Sequence, residues 1–423
     1  MRVAIIGAGI VGVTTAYELA LDGHEVTVFE RRGSVAAETS FANAGLVAPG
    51  YVGPWAAPGM PTKVLRQLFG RHSAVRIAGL PDGAMRRWLW RWLQACGTQA
   101  YAHNRERMHV LARYSAERLD DLTQRLDLAY EQGQGLLVLL RKPRDVAAAQ
   151  RTHSLLTDWG VQARLCDADA CRAIEPGLSA ATALAGGLYL PNERVGNCRQ
   201  FANLLRAQAQ RLGAQFRFDT TVHSLQPGAP VRMLSHCAET AANDEFDAVV
   251  VCAAMGSASL LAGLGVQIPL AAVHGYSITA PLRHSDSEHE SAPRASLMDE
   301  TFKVAISRLG QRVRLAGGAE IGGTLERHDP RALATLYKVL DDWFPGAAHN
   351  AQAQAWKGAR PMLPDGPPLL GALGVPGMWL NLGHGSSGWA LSCGSARVVA
   401  DLVANRPPAI DASGFGSARW RAR

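Results

Sequence analysis

The sequence predicts an α/β protein built from two domains. At 423 residues the chain exceeds the usual size of a single domain, and segments of helical and strand periodicity alternate along it. The clearest unit lies at the amino end, where an apolar strand at 3–6 leads into a glycine-rich turn, a helix at 13–21 and a second strand at 24–29. This order is typical of a parallel sheet with helices packed on its faces.

The turn after the first strand has the pattern Gly-x-Gly-x-x-Gly. Gly7 permits the tight turn, Gly9 lets the backbone approach a diphosphate, and Gly12 lets the helix pack on the strand. The N–H groups at the start of the helix carry partial positive charge and can bind that diphosphate. Glu30 ends the second strand, at the position of an acid that binds ribose. We therefore expect a Rossmann-type domain that binds an adenine dinucleotide.

A second unit of strand, glycine-rich turn and helix lies near the carboxyl end. A strand predicted at 378–382 is followed by the turn 383–388 and by a helix predicted at 390–404. This gives the chain a second helix start that can face an anion. A flavin uses two such sites, one for its diphosphate and one for the isoalloxazine edge, where negative charge grows on reduction. An NAD enzyme has no evident use for the second site, so the pair favours FAD.

Composition limits the other classes of function. The net charge of +7 is not accompanied by a nucleic-acid-binding motif, so we expect no nucleic-acid partner. The seven cysteines contain no Cys-x-x-Cys pair, which indicates a reducing, cytoplasmic compartment and argues against a metal site. The uncharged stretch 248–273 is long enough for a membrane span, but glycines and Pro269 interrupt it. We expect a strand, a short helix and another strand there.

The middle of the chain predicts a second, α+β domain on a mixed or antiparallel sheet. Its elements are less sharply marked than those at the two ends. Segment 226–245 is rich in turn residues, and 358–361, with the sequence Gly-Ala-Arg-Pro, is expected to form a turn. Helices are predicted at 105–126, 144–159 and 200–212, and strands at 135–141, 186–190, 215–225 and 312–318.

Segment 85–93 alternates tryptophan and arginine and has two interpretations. On a helix, Trp88 and Trp92 share one face with two leucines, while the arginines lie largely on other faces. The first interpretation is a core helix whose arginines extend to solvent. The second is an interfacial element that contacts a membrane or a quinone.

Motifs spread over nearly the whole chain carry a resemblance to a known family. They lie at 7–12 with Glu30, 38–45, 48–51, 54–59, 275–277, 298–306, 358–361, 383–385, 388–389 and 393–395. In combination they resemble the small subunit of bacterial D-amino acid dehydrogenases, within the glycine-oxidase-like and D-amino-acid-oxidase-like flavoenzymes.

The resemblance implies a non-covalent FAD and the oxidative deamination of D-alanine-like D-amino acids to 2-oxo acids and ammonia. Hydride is expected to pass from Cα to flavin N5, and the electrons to a quinone or other respiratory acceptor. The protein would then be cytoplasmic, with a possible peripheral contact at the inner membrane. One alternative is an oxygen-using oxidase of glycine, sarcosine or D-hydroxyproline. Another is a non-catalytic FAD subunit of a membrane complex.

Four residues are expected to act on the substrate. Arg308 and Arg360 resemble the two arginines that hold a substrate carboxylate in such sites, where the planar guanidinium suits a carboxylate. Tyr276 could donate a hydrogen bond to the same carboxylate, and Tyr51 could serve as a lid or a wall of the pocket. The expected FAD-binding residues are Gly7, Ala8, Gly9, Ile10, Val11, Gly12, Glu30, Arg31, Ser40, Asn43, Ala44, Val222, Gly358, Gly383, His384, Gly385, Ser387 and Gly388.

The two domains are expected to be discontinuous in sequence. Residues 1–50, 196–260 and 350–423 are assigned to the FAD-binding domain. Residues 51–195 and 261–349 are assigned mainly to the substrate domain. This division follows from the two glycine-rich turns, which must meet at one cofactor although they are far apart in the chain.

Overall fold

The computed structural model describes residues 1–67, 70, 72–238, 240–283 and 292–420. Its helices are α1 (Ile10–Leu21), α2 (Met60–Gln67), α3 (Gly83–Ala95), α4 (Thr98–Arg125), α5 (Pro143–Asp158), α6 (Ala168–Ile174), α7 (Cys198–Arg211), α8 (Ser257–Ala262), α9 (Pro330–Trp343) and α10 (Gly388–Val403). Its strands are β1 (Arg2–Ile6), β2 (Glu25–Phe29), β3 (Leu46–Val47), β4 (Val75–Ala78), β5 (Gly133–Leu140), β6 (Arg164–Cys166), β7 (Gly186–Val195), β8 (Gln215–Arg217), β9 (Thr220–Gln226), β10 (Val231–Cys237), β11 (Thr240–Phe246), β12 (Ala248–Val251), β13 (Ala271–Pro281), β14 (Ser296–Asp299), β15 (Val304–Leu309), β16 (Arg312–Gly322), β17 (Gln354–Met362), β18 (Leu369–Ala372) and β19 (Met378–Leu382).

The first sheet has the predicted Rossmann-type architecture. Its six strands lie in the order β18-β19-β12-β1-β2-β8, and all neighbouring pairs are parallel except β18 with β19. Successive connections run in opposite directions from β1, toward β2 on one side and toward β12 on the other. Ligands of such sheets bind in the crevice that forms at this reversal, outside the carboxyl ends of the strands.

Helices α1, α4, α7 and α10 pack against one another beside this sheet. Their apolar residues join those of β1, β2 and β12 in one buried core. Hydrogen bonds tie the layers together, since Asn381 donates to the Thr15 hydroxyl over 2.9 Å and Trp389 donates to the Gly45 carbonyl over 3.1 Å. The Thr14 hydroxyl of α1 also donates to the Ser392 carbonyl of α10 over 3.2 Å, which fixes the two helices that follow the glycine-rich turns relative to each other.

The second sheet is mixed and mostly antiparallel, as predicted. Eight strands lie in the order β17-β13-β16-β15-β14-β5-β7-β3, with β4 beside β16 and β6 beside β7. Its outer face carries Tyr276, Val304 and Ile306 and packs on α9. Its inner face carries Met298 and Ala305, which pack on the loop that follows β2.

Two local expectations were wrong. Segment 226–245 is not merely turn-rich, because β10 and β11 pair there and form a three-stranded sheet with β9. One face of that sheet is exposed, and its polar residues, such as Asn243 and Glu245, concealed the strand alternation. Segment 358–361 is part of β17 rather than a turn. Pro361 is tolerated there because β17 is an edge strand.

The stretch 248–273 folds as predicted, into β12, the short helix α8 and the start of β13. Within the described residues, no helix is both long and apolar enough to span a bilayer.

Two elements cross the predicted domain boundaries. β17 belongs to the second sheet, and α4 contributes Leu111 and Leu119 to the core of the first. The division of the chain into two domains therefore stays a prediction at its boundaries.

The tryptophan–arginine segment forms α3 and confirms the first interpretation on one side of the helix, while contact with a membrane or a quinone stays a prediction. Trp88 and Trp92 are buried around Trp55, with ring centroids 6.1 and 5.2 Å from it. The Trp88 indole donates to the Met362 carbonyl over 3.0 Å. In contrast, Trp90 is 63% exposed. One side of α3 is thus a core helix, and the other is an apolar surface.

Candidate active site

The first glycine-rich turn is packed on its inside and open on its outside. Gly7 has φ = +102°, and a Cβ there would lie 2.7 Å from the Cys252 carbonyl oxygen. A Cβ on Gly12 would overlap the Gly7 carbonyl. Outside the turn, a Cβ on Gly9 would meet only the Ser40 hydroxyl, at 3.6 Å. The bare backbone at Gly9 and the start of α1 is the surface that a diphosphate requires.

The predicted ribose-binding acid, Glu30, lies beside this turn. The Glu30 carboxylate accepts from the N–H of Ala8 at 2.7 Å and from the N–H of Arg32 at 2.8 Å. Burial raises its pKa, and the two N–H donors oppose this shift. Arg31 pairs with Glu38 on the outside. Glu30 thus lies against the turn at the end of β2, as the sequence predicted for a ribose-binding group.

Other predicted cofactor residues lie around α1. The Ser40 hydroxyl accepts from the Ile10 N–H at 3.1 Å, directly over the start of the helix. Val11 lies in the first turn of α1. Val222 is buried in β9, next to the point where Thr220 donates to the Glu30 carbonyl over 2.9 Å. Val222 therefore lies close to Glu30, the predicted ribose-binding acid.

The segment after β2 joins the two sheets. Thr39 donates to the Ala359 carbonyl over 2.8 Å, and Ser307 donates to the Ala44 carbonyl over 2.7 Å. The Asn43 side chain accepts from the Gly45 N–H at 2.9 Å. Segment 39–45 is thereby held between the start of α1 and the inner face of the second sheet. It is the place where a dinucleotide and a substrate can meet.

The second glycine-rich turn opens α10 beside β17. Gly383 and Gly385 have φ = +81° and +56°, values that favour glycine. The backbone of His384 bridges to Met362 at the end of β17. A single 3₁₀ turn, Gly385–Ser387, precedes α10, which begins at Gly388 and has no side-chain cap at its amino end. Among the described residues, no side chain therefore caps the first N–H groups of α10.

His384 is a neutral buried histidine. Its Nε2 lies 3.0 Å from the Ser395 hydroxyl, and burial lowers its pKa to about 3. A proton at this ring is disfavoured at any physiological pH. The geometry thus agrees with a position beside the cofactor and disfavours a role in proton transfer.

Arg360 lies on the inner face of the second sheet. It pairs with Val273 of β13, and its guanidinium covers Gly275, where a Cβ would overlap it. It donates to the Gly318 carbonyl over 2.8 Å. Burial lowers its pKa to about 10, with no acidic neighbour opposing the shift. Arg360 is thus a partly buried cation that forms no ion pair within the described part of the chain.

Arg308 and Tyr276 are not brought to Arg360. Arg308 lies within β15 on the outer face, because its neighbour Ser307 faces inward, and it donates to the carbonyls of Gly310 and Pro293. Tyr276 is 2% exposed on the outer face and donates to Glu320. These positions argue against a carboxylate site shared with Arg360.

Tyr51 lies at the edge of the inner face, in the 3₁₀ turn Pro49–Tyr51. Its hydroxyl donates to Glu300 over 3.0 Å, and the Lys303 ammonium lies 3.3 Å away. Burial and the Glu300 carboxylate raise the pKa of Tyr51. Glu300 and Lys303 were not among the predicted site residues, although both lie in a motif that carries the resemblance. The one available signal was their spacing of three in a short turn.

Comparison with known proteins places this arrangement in a family. The fold is that of a dinucleotide-binding flavoprotein with a second sheet over its cofactor crevice. Residues 2–402 match the family model described as "FAD dependent oxidoreductase". The chain therefore belongs to the FAD dependent oxidoreductase family and is an enzyme of that class.

Relatives match over the full length of the chain. A D-amino acid dehydrogenase of Cereibacter sphaeroides is 44% identical over 425 residues, which cover 100% of this chain and 96% of that protein. One of Rhizorhabdus wittichii is 42% identical and covers 99% and 100%. Among solved structures, glycine oxidase from Geobacillus kaustophilus has a TM-score of 0.73 at 21% identity and covers 98% and 97%. The last similarity concerns the fold alone.

Proposed function

We propose that this chain oxidises D-amino acids with small side chains, such as D-alanine, to 2-oxo acids and ammonia with a non-covalently held FAD. Arg360 is the observation that supports this most directly. A partly buried guanidinium without a carboxylate partner among the described residues favours the binding of an anion. The carboxylate of an amino acid supplies one with matching two-pronged geometry.

The residues present fit FAD. The bare backbone from Gly7 to Gly12 and the start of α1 would hold the diphosphate, and Glu30 the ribose. The uncapped amino end of α10 and the turn 383–388 would face the flavin. These are hydrogen-bonding and electrostatic contacts, and they support non-covalent binding. When bound, FAD accepts two electrons and a hydrogen from the substrate Cα.

The chain itself contributes mainly orientation. Arg360 would fix the substrate carboxylate beside the backbone of Gly275 and Gly318, on the inner face of the second sheet. No protonated histidine is available from His384, because burial keeps it neutral. A substrate with a free amine, held in one geometry, needs no side-chain base for loss of the Cα hydrogen.

The D configuration rests on the relatives. Relatives that match essentially all of the chain at 42–44% identity bear the name D-amino acid dehydrogenase. The same name supports an electron acceptor other than oxygen, such as a quinone. Oxygen use, as in an oxidase of glycine, sarcosine or D-hydroxyproline, is the competing reaction. Steady peroxide formation without an added quinone would favour it.

The test is reduction of the bound flavin. Anaerobic mixing of the purified yellow protein with D-alanine should bleach the band at about 450 nm, and L-alanine should not. Arg360→Lys should lower kcat/KM for D-alanine about 100-fold, because an ammonium cannot reproduce the two parallel hydrogen bonds. Arg308→Lys is the matched control and should change kcat/KM less than about threefold. Absence of bleaching with every D-amino acid would refute the function.

An exposed apolar surface supports a peripheral membrane contact. Within the described residues, large apolar side chains are exposed at Leu65 (65%), Ile77 (42%), Leu80 (98%), Trp90 (63%) and Leu93 (46%). Arg66, Arg86, Arg87 and Arg91 lie among them in sequence and are also exposed. Apolar side chains among cations suit a bilayer with anionic lipids. We infer that this surface, formed by α2, β4 and α3, rests on such a bilayer and brings the enzyme to a membrane-dissolved acceptor.

A further inference from the structure

The turn between β14 and β15 places an ion pair beside Tyr51. The Lys303 ammonium contacts one oxygen of the Glu300 carboxylate, and the Tyr51 hydroxyl donates to the other oxygen over 3.0 Å. Lys303 also lies 3.3 Å from the Tyr51 hydroxyl. Each of the three groups therefore contacts the other two. The two charged side chains are partly exposed, Lys303 at 38% and Glu300 at 27%.

The backbone of this turn is fixed from the outer side of the sheet. Lys303 has φ = +54°, a left-handed conformation that is uncommon for a residue other than glycine. The Asp299 carboxylate accepts from the Phe302 N–H at 3.0 Å, from Arg141 at 2.7 Å and from the Trp343 indole at 2.8 Å. Since Asp299 is fully buried, the turn is anchored to the core. The position of Lys303 is thus set by the fold rather than by a mobile loop.

The ion pair and Arg360 approach the same part of β16. Val304, which follows Lys303, pairs with Gly317, while Arg360 donates to the carbonyl of the next residue, Gly318. Tyr51 packs in the apolar cluster of Met298 and Ala305, on the inner face. The ion pair and the proposed carboxylate site therefore lie on one face of the sheet, on two sides of the glycine step formed by Gly317 and Gly318.

We propose that Glu300 and Lys303 form an electrically neutral rim of the substrate site and so restrict the enzyme to amino acids with uncharged side chains. This inference rests on the proposed function. A substrate held at Arg360 extends its side chain over the glycine step toward the pair. A charged side chain must compete with one member of the pair and leaves the other member partly buried without its partner. An uncharged side chain leaves the pair intact.

The test compares substrates that differ mainly in charge. For flavin-loaded enzyme we would measure the kcat/KM ratios of D-glutamate to D-glutamine and of D-arginine to D-citrulline. In Glu300→Gln, the Lys303 ammonium loses its carboxylate partner and should raise the ratio of D-glutamate to D-glutamine about tenfold or more. In Lys303→Met, the Glu300 carboxylate loses its ammonium partner and should raise the ratio of D-arginine to D-citrulline by a similar factor. Both variants should still oxidise D-alanine.

Two controls separate this effect from general loss of charge. Glu131 pairs with Arg312 at the other end of β16 and is 25% exposed, close to the exposure of Glu300. Glu131→Gln should leave both ratios unchanged. The exchange Glu300→Lys with Lys303→Glu restores a neutral pair and should also keep both ratios near those of the unmodified enzyme.

The outcomes distinguish this inference from the proposed function. If both single variants oxidise D-alanine and neither ratio changes, the neutral rim is refuted and the proposed function stands. If the unmodified enzyme reduces its flavin with no D-amino acid, both are refuted. Should Glu300→Gln fail to fold, Lys303→Met decides alone through the second ratio.

Discussion

Glu193 shows how a single buried acid can make stability depend on pH. It is 5% exposed beneath the turn that carries Tyr51, where its carboxylate accepts from the Gly50 N–H at 2.8 Å. Burial raises its pKa to about 7, and the Gly50 N–H and Arg194 oppose the shift. In the unfolded chain the pKa is about 4.3. The protonated form is therefore the one that suits the folded protein.

The sign of the effect follows from this raised pKa. The contribution of Glu193 to stability is complete below about pH 4.3 and is lost as the pH rises through about 7. Glu193→Gln keeps an acceptor for Gly50 without the charge. We expect it to raise the free energy of unfolding by about 1–3 kcal/mol at pH 8.5 and to change it little at pH 5. Chemical denaturation at both values measures this, and an equal effect at both would contradict it.

The elements around the first sheet are joined by a buried ionic contact. Glu18 of α1 is fully buried and accepts from Arg118 of α4 at 2.7 Å and from Arg397 of α10 at 2.8 Å. The carboxylate adds a geometric requirement, because a buried charge is tolerated only with its partners in place. It therefore links the helix of the first glycine-rich turn to that of the second.

Removal of this carboxylate should destabilise the fold. Glu18→Ala leaves two arginines facing a gap, and we expect the free energy of unfolding to fall by about 3 kcal/mol. The control is Glu25→Ala, since Glu25 forms an exposed pair with Arg2 at 3.8 Å, and such pairs contribute about 0–1 kcal/mol. Denaturant titration of both variants provides the comparison. Similar losses of unfolding free energy in Glu18→Ala and Glu25→Ala would show that Glu18 has no special part in joining the helices.

The proposed membrane contact involves the whole molecule, because its exposed apolar side chains come from three elements, α2, β4 and α3. This surface flanks the strand β17, which carries Arg360, because buried residues of α3 pack against Met362. Contact with a bilayer would thus bring the substrate-binding sheet near the membrane without a membrane-spanning helix. Attraction between its arginines and anionic lipid should weaken as salt is added.

Vesicle flotation tests this contact. The protein should float with vesicles of phosphatidylcholine and phosphatidylglycerol, less so in high salt, and poorly with phosphatidylcholine alone. Trp90→Ser with Leu93→Ser should lower the binding about tenfold or more, since two apolar side chains no longer enter the bilayer. Leu212→Ser, at an apolar residue that is 43% exposed on α7, is the control. Equal flotation of the unmodified protein, the double variant and Leu212→Ser would show that this surface does not bind the membrane.

The sequence predicted the cofactor half of the protein better than the substrate half. Gly7, Gly12 and Glu30 act through local backbone geometry within one strand–helix–strand unit, so their spacing alone reports it. Arg308 and Arg360 looked equivalent in sequence. The inward position of Ser307 and the pairing of Arg360 with Val273 place the two arginines on opposite faces of one sheet.

The Rossmann-type unit, the second glycine-rich turn and the family resemblance could be predicted from the sequence, because each depends on short motifs of neighbouring residues. Only the tertiary structure decided which polar side chains face the crevice. Strand residues alternate between the two faces of a sheet, so a shift of one residue along the strand moves a side chain to the opposite face. The neutral contact of Glu300, Lys303 and Tyr51 likewise depends on a pairing that joins residues about 250 positions apart.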